Sequence, residues 1–268
     1  MNKLTNTLEL ADRARAEVAD LLDLQLSPLG LAAMDALAPT SGQTILDVGC
    51  GAGETVKQLA ERLGTSGRVI GVDIASRVLD VARYRTAHLP QVTLLHDDAA
   101  TLDLPNESMD GVYSRFGVMG FADPIVAFSN FRRVIKHRGR ISFVCWRSLQ
   151  ENEVDFLPLR AAGLEIAIDE TPFSFECPDF VTSVLCAAGF GSVAVTEFDA
   201  SVSSGDVDAM VKVLMKVGPL GKILRETPTL IAEAEPRVRA ALAARKSGAQ
   251  VRLGAATWIV TVFDPRQS

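Results

Sequence analysis

Cysteine, histidine, tryptophan and tyrosine are all scarce in this 268-residue chain, which has four Cys, three His, two Trp and two Tyr. The cysteines, Cys50, Cys145, Cys177 and Cys186, stand far apart with no CxxC pair. That spacing gives neither a zinc site nor a disulfide scaffold, so no metal is expected. Positive charge is also in short supply, and the net charge is −6. A protein that grips phosphate backbones usually carries a basic face, which disfavours a nucleic-acid partner. The only dense basic run, Arg132, Arg133, Lys136, His137, Arg138 and Arg140, reads as the solvated end of a helix. No apolar run approaches the ~20 residues of a membrane span. The start, MNKLTNTLEL, turns charged before it could form the apolar centre of a signal peptide. These absences lead to the expectation of a soluble cytoplasmic protein with a small-molecule partner; they leave its oligomeric state open.

What is present is an alternation of short apolar runs and helical stretches. Residues 1–40 read as helix, with Leu8, Ala11, Ala14, Val18 and Leu22 at helical spacing. Within them Ser27-Pro28 resembles an N-cap followed by proline at the first helical position, opening a helix through Leu37. Strands are expected at Thr44–Val48, Arg68–Val72, Val92–Leu95, Gly111–Ser114 and Arg140–Trp146, with helices at Glu54–Leu63, Arg77–Thr86 and Pro124–Ile135 between them. Further on come a helix from Pro178 to Ala188, a strand near Ser192–Glu197, a helical region from about Ser204 to Lys246 broken at Gly218-Pro219 and near Pro228, and a final strand from Val251 to Phe263. Strands alternating with helices of this length imply right-handed βαβ units and a mostly parallel sheet. The expected organisation is one α/β domain over 1–268, with an N-terminal helical cap (1–40), a ligand-binding core (41–148) and a substrate-side half (149–268) carrying a helical insertion at about 204–246.

The strongest chemical signal is the segment Ile45-Leu-Asp47-Val-Gly49-Cys50-Gly51-Ala-Gly53-Glu54. A buried strand runs into a glycine-rich turn and then a helix, so a ligand can approach the main chain without meeting a Cβ. In an open parallel sheet this turn sits at the carboxyl end of the first strand, where ligands bind beside the switch in strand order. A dinucleotide site would read GxGxxG and keep its helix N-terminus free of negative charge. Here the spacing is GxGxG with Glu54 at the third dinucleotide position, and Asp47 precedes the turn. Carboxylates around the loop suit an ammonium and a sulfonium better than a pyrophosphate. Asp73 ends the second strand, where an α/β fold places a carboxylate for the hydroxyls of a ribose. Asp98-Ala99 follows the third strand, where a carboxylate can accept a hydrogen bond from an adenine amino group. A lone acid at a strand end is often a helix cap; three such ends in chain order carry more weight.

The order and spacing of these segments resemble the class I S-adenosylmethionine-dependent methyltransferases, and within them the ubiquinone/menaquinone-biosynthesis-like group. Gly49, Gly51 and Gly53 match the first motif, Asp73 the second and Asp98-Ala99 the third. Tyr113-Ser114-Arg115-Phe116-Gly117-Val118-Met119 is similar to the fourth-strand segment of a bacterial subgroup, in which Ala122-Asp123-Pro124 and Phe143-Val-Cys145-Trp146-Arg147 also recur. The resemblance runs from about Pro28 to Pro265. It implies a Rossmann-like, seven-stranded, mostly parallel sheet with helices on both faces, N-terminal helices and a helical cap insertion. It also implies S-adenosyl-L-methionine as cofactor and S-adenosyl-L-homocysteine as product. The residues it points to at the cofactor are Asp47, Gly49, Cys50, Gly51, Gly53, Asp73, Ile74, Asp98, Ala99, Ser114, Arg115 and Phe116. Two departures stand out. His137-Arg138-Gly139 replaces the family's Pro-Gly-Gly, predicting a changed turn before the fifth strand, and Gly120 takes the place of a bulky aromatic, predicting a roomier substrate side.

Methyl transfer from a sulfonium asks the protein chiefly for positioning and desolvation. A base is required only if the acceptor must first lose a proton. None of the histidines, His88, His96 and His137, is well placed for that task, so no catalytic residue is assigned; Asp123, Glu151 and Asp155 are the carboxylates that could serve. Met119, Phe121 and Trp146 are the expected substrate wall, whereas Met210, Val213, Leu214 and Met215 at helical spacing read first as core. The fourth-strand loop has no (Asp/Asn)-Pro-Pro-(Tyr/Phe) sequence of the kind used on adenine amino groups. The expected activity is methyl transfer to the O, N or C of a small molecule, with a hydrophobic or aromatic secondary metabolite as the class in view; the alternative is a regulator or assembly factor that binds the cofactor without catalysis.

Overall fold

A computed structural model describes residues 3–263, with side chains from residue 7 onward. Met1 and Asn2 of the expected N-terminal cap, and the last two residues of the resemblance, lie outside the described residues. Five parallel strands form the body of the sheet: β1 (Thr44–Val48), β2 (Arg68–Asp73), β3 (Val92–His96), β4 (Met109–Arg115) and β5 (Ile135–Trp146). Two long strands follow, β6 (Ser192–Gly205) and β8 (Gln250–Phe263), together with a two-residue strand β7 (Lys246–Ser247). The order is β3-β2-β1-β4-β5-β8-β6, with β7 paired to β8 off this path. β8 runs antiparallel between β5 and β6. The expected seven strands are therefore all present, and β7 adds an eighth at the rim.

Helices α1 (Lys3–Glu17), α2 (Ala19–Leu37), α3 (Glu54–Leu63), α4 (Ser76–Thr86), α5 (Pro124–Val134), α6 (Glu153–Ala162) and α7 (Pro178–Ala187) pack around the sheet. Between β6 and β7 lie α8 (Val207–Leu214), α9 (Gly218–Glu226) and α10 (Ile231–Ala243). One continuous apolar core includes Leu29, Met34, Ile45, Leu59, Val72, Tyr113, Phe128, Phe143 and Val260. Burial of such side chains, at ~25 cal/mol per Å² of apolar surface, is the main term holding the layers together. No described helix is long and apolar enough to cross a membrane.

The helix boundary expected at Ser27-Pro28 is not there: Pro28 lies inside α2, and the break falls at Val18. Proline leaves the carbonyl four residues earlier unpaired. That residue is Leu24, 57% exposed, where water can take the bond. On the opposite side α2 is tied to the sheet through carbonyls: Tyr113 Oη donates to Gly30 O at 2.8 Å and Ser142 Oγ to Ala33 O at 2.8 Å. A Cβ on Gly30 would meet Arg115 Cδ at 2.7 Å and Tyr113 Oη at 2.9 Å, so this crossing needs glycine.

The changed turn expected at His137-Arg138-Gly139 is a bulge inside β5, with Arg138 at φ 63° and the pairing to β4 shifting between Met109 and Gly111. The basic run around it is largely committed. Arg133 donates to the carbonyls of Leu104 and Leu102, Lys136 pairs with Asp110 at 2.8 Å, and Arg140 covers the ring of Phe263. It is an internal clasp more than a solvated helix end. β6 runs eight residues beyond its expected end at Glu197, and α6, which contains Pro158, had no counterpart in the sequence reading.

Candidate ligand cleft

The carboxyl ends of β1 to β4 open onto one cavity of about 880 Å³, which runs beneath α1 and α2 toward α6 and α9. At its centre is the glycine turn. Gly49, Gly51 and Gly53 have φ of 70°, 52° and 84°, a region that side chains with a Cβ avoid. A Cβ on Gly49 would sit 2.7 Å from Gly117 Cα, and one on Gly53 would sit 2.9 Å from Ala82 Cβ. A Cβ on Gly51 would meet nothing within 4 Å. Two of the glycines thus allow chain to pack on chain, and the middle one presents bare backbone to the cleft.

Each acid at a strand end is already held in place. Asp73 accepts from Gly51 N through Oδ2 and from Ala75 N through Oδ1, both at 2.9 Å. A carboxylate oxygen has two lone pairs, so each oxygen of Asp73 keeps one site, together suited to two adjacent hydroxyls. Asp98 Oδ1 accepts from Ala100 N at 2.9 Å, and its exposed carboxylate borders the cavity beside Ala99 and Ile74. The loop after β2 is steadied from α1, where buried Asp12 accepts from Arg77 N at 2.9 Å and Val78 N at 3.0 Å. It thereby caps α4, whose own N-cap residue, Ala75, has no side chain for the purpose. His96 Nε2 lies 3.0 Å from Ile74 O on the outside of the same loop.

Asp47 and Glu54 occupy different places from those the charge argument assumed. Asp47 is fully buried under the turn, with Oδ2 accepting from Thr55 Oγ1 at 2.5 Å and Oδ1 unpaired. Burial pushes its pKa up to about 7, against the Thr55 hydrogen bond. Glu54 turns to Lys57, 2.9 Å away. The acids that border the cleft at this end are Asp73, Asp97 and Asp98.

Ser114 and Cys50 stand behind the cleft wall. Ser114 Oγ donates to Val48 O at 2.7 Å and accepts from Gly117 N at 3.1 Å, bracing β4 against β1. Cys50 is 1% exposed, and burial raises its thiol pKa far above the ordinary value. Arg115 and Phe116 do line the cleft. Arg115 Nη2 donates to Asp23 Oδ1 at 2.6 Å, and Nη1 is buried without a partner. Asp23 also accepts from Arg85 at 2.7 Å, and Arg85 donates to Ala52 O at 3.0 Å. This chain of bonds joins α2, α4 and the glycine turn. The orphaned Arg115 donor is what a ligand carboxylate would satisfy.

Beyond the turn the wall becomes apolar. Phe116 stacks on Trp146 at 4.1 Å with an 18° interplanar angle, and Met119 and Phe121 lie beside them. Gly120 borders the cavity and has no neighbour within 4 Å of where a Cβ would be, which leaves the room expected of it. Val213 and Leu214 face the cleft, while Met210 is wholly buried.

The three candidate bases separate cleanly. Asp123 caps α5, accepting from Val126 N at 3.1 Å at the cleft edge. Glu151 is outside the cleft, bonded to Arg147 and Ser148, which hold its pKa below the usual value. Asp155 lies in the cleft wall beside Gly218; its carboxyl has no hydrogen-bond partner among the described residues and its pKa is pushed up to about 7 by burial. Sequence reasoning missed Asp23, Arg15, the Asp169–Lys222 pair (2.6 Å) and Arg225, all of which border the same cavity. An acid and a glutamine (Asp23 and Gln25) among the buried residues of α2 were the one available signal. Among the described residues no group of acids, histidines and cysteines could hold a metal ion.

Fold and cleft share one arrangement, a glycine turn after the first strand and acids after the second and third, all opening on one cavity. Residues 45–139 match the methyltransferase domain family. It is similar to an aklanonic acid methyltransferase of Streptomyces sp. (strain C5), 33% identical over 44% of this chain and 54% of the relative. It is also similar to a 2-phytyl-1,4-naphtoquinone methyltransferase of Thermosynechococcus vestitus, 33% identical over 53% of this chain and 64% of the relative. The chain thus spans between about half and two thirds of these two relatives. In fold it resembles Haemonchus contortus phosphoethanolamine N-methyltransferase 2 in complex with S-adenosylhomocysteine, with TM-score 0.57, 18% identity, and coverage of 89% of this chain and 53% of that one.

Proposed function

We propose that the chain binds S-adenosyl-L-methionine in this cleft and transfers its methyl group to a small aromatic acceptor, releasing S-adenosyl-L-homocysteine. The observation that carries the reading is the convergence of bare backbone at Gly51, two free acceptor sites on Asp73 and the carboxylate of Asp98 on one cavity. In this assignment Asp73 receives the ribose hydroxyls and Asp98 the adenine amino group, with Ile74 and Ala99 against the base. Gly49, Gly51 and Gly53 let the ligand lie along the turn, supported from behind by Asp47, Cys50 and Ser114. Arg115 offers its unpaired Nη1 to the amino-acid carboxylate, and Phe116 closes the cavity on the methyl side. When bound, the cofactor supplies a methyl already activated on a sulfonium. The chain's own work is then to hold the acceptor in line and exclude water.

An aromatic acceptor is supported by the wall of Phe116, Trp146, Met119 and Phe121, as apolar lining with few polar groups favours such ligands. The relatives named for aklanonic acid and for a naphtoquinone point the same way. Four free cysteines suit a reducing compartment, which supports a cytoplasmic site of action. The test is incubation with methyl-labelled S-adenosylmethionine and a panel of aromatic acids, phenols and quinols. Label in an organic extract, dependent on Asp73, is the expected result. Cofactor binding with no label moved to any acceptor or cell extract would favour the non-catalytic regulator.

A further inference from the structure

The two ends of the cavity carry opposite charge. Asp73, Asp97 and Asp98 border it at the β2 and β3 loops, whereas Arg15 of α1 and Arg225 of α9 border it at the far end. Lys222, also at that end, is already neutralised by Asp169 at 2.6 Å. Neither arginine has a carboxylate partner among the described residues. The Arg15 side chain makes no hydrogen bond or ion pair there, and the Arg225 side chain donates only to the carbonyl of Lys216, which leaves most of its guanidinium N–H groups without a protein acceptor. Two like charges are also held near each other, because α1 packs on α9 and Lys216 fastens the junction by pairing with Glu17. Burial and the neighbouring Arg15 charge together lower the pKa of Arg225 to about 10. Asp155, on the same wall, pairs with neither of them. Arg15 is exposed and Arg225 half-buried, so water solvates both guanidinium groups in the open cleft, and an anion that enters there finds charge-assisted hydrogen bonds that no protein carboxylate has taken.

We propose that Arg15 and Arg225 receive a carboxylate carried by the acceptor, so that the substrate class is an aromatic or polycyclic carboxylic acid. The proposal rests on the methyl-transfer reading of the same cleft. The planar fork of a guanidinium matches a carboxylate in two parallel hydrogen bonds. With the acidic end taken by the nucleoside, the acceptor has one orientation: its anionic edge toward α1 and α9 and its apolar body against Trp146 and Phe116.

Calorimetry tests this in two stages. S-adenosylhomocysteine is titrated first, which examines the cofactor reading by itself. Anthraquinone-2-carboxylate and its neutral carboxamide are then titrated into the loaded protein and, separately, into the unloaded one. The expected result is a preference for the carboxylate of about tenfold or more, the scale of one charge-assisted hydrogen bond. Arg15→Gln and Arg225→Gln should each shrink that preference severalfold without changing S-adenosylhomocysteine affinity. Arg15→Gln is the cleaner variant, since it removes no internal bond, whereas Arg225→Gln also gives up the Lys216 carbonyl. Equal affinity for the two probes, no binding of either, or a preference undiminished in the double variant would overturn the proposal. Loss of the cofactor reading would appear separately, as failure of the first titration, and the unloaded protein would then still decide between the two probes.

Discussion

The two ends of the cleft are built on different principles. At the β1–β3 end the acids that border the cleft are fixed by a near neighbour in the chain or by the adjacent turn, Asp73 by Gly51 N and Ala75 N and Asp98 by Ala100 N, and Gly53 is fitted against Ala82 of α4. At the α1–α9 end the groups come from residues 15, 146, 155, 222 and 225, and the side chains of Arg15 and Asp155 have no polar partner among the described residues. The first end is pre-organised backbone, which suits a ligand with fixed chemistry. The second is an assembly of side chains from distant segments, which can be re-specified residue by residue while the first stays constant.

The largest effect that would break this contrast lies in the glycine turn. Gly51→Ala adds a methyl group on the open side, at a backbone conformation costing about 1–2 kcal/mol for a residue with a Cβ. It should leave a folded protein whose S-adenosylhomocysteine affinity falls by about 100-fold or more, since the Cβ occupies ligand space. Gly49→Ala drives a Cβ into Gly117 and should lower the melting temperature as well. Calorimetry and thermal melts of the pair separate the two roles; equal behaviour would mean that the turn has no ligand-facing member.

A change at the other end should be narrower. Gly120→Phe fills the space left open beside Met119 and Phe121. It should weaken aromatic acceptors several-fold while cofactor affinity is unchanged. A parallel loss of cofactor affinity would show that the two ends are not independent.

The smallest effect concerns stability. Burial raises Asp155 from an ordinary 3.8 to about 7. A folded-state pKa above the unfolded one gives a contribution that is present below about pH 4 and lost as pH rises through about 7. Asp155→Asn should therefore melt with the wild type at pH 4 and above it at pH 8. Because part of the carboxyl faces the cleft, the gain is about 1–2 kcal/mol, or ~2–8 °C in Tm. A variant less stable than wild type at pH 8 would show that the charged carboxylate is held by an interaction the geometry does not contain.

Legibility from sequence divides along the same line. The strands β1 to β5, the glycine turn and the acids after β2 and β3 were readable, because each is a local pattern: an apolar run, a turn residue, a charge at a run's end. Pro28 misled because proline marks a helix start on average, and only the exposure of Leu24 shows why an interior position is tolerated here. α6 is illegible for the same reason, since Pro158 interrupts its helical pattern. The outer reach of β6, Ser201 to Gly205, is Ser- and Gly-rich, so its composition reads as loop, and its pairing with β8 shifts register between Val202 and Gly205. Motif position points Ser114 and Cys50 toward the ligand, and the folded chain sets their side chains behind the cleft wall. Arg15 and Arg225 could not have been found, since no spacing rule links residues 210 positions apart.

The central claim is that Asp73 and the glycine turn form a site for S-adenosylmethionine. It is tested most directly by calorimetric titration of wild-type protein and Asp73→Ala with S-adenosylhomocysteine, with NAD as control. The account predicts binding by the wild type, loss of about 100-fold or more in the variant as two ribose hydrogen bonds and the Gly51 tether go, and no binding of NAD. Binding of NAD, or undiminished S-adenosylhomocysteine affinity in folded Asp73→Ala, would contradict it.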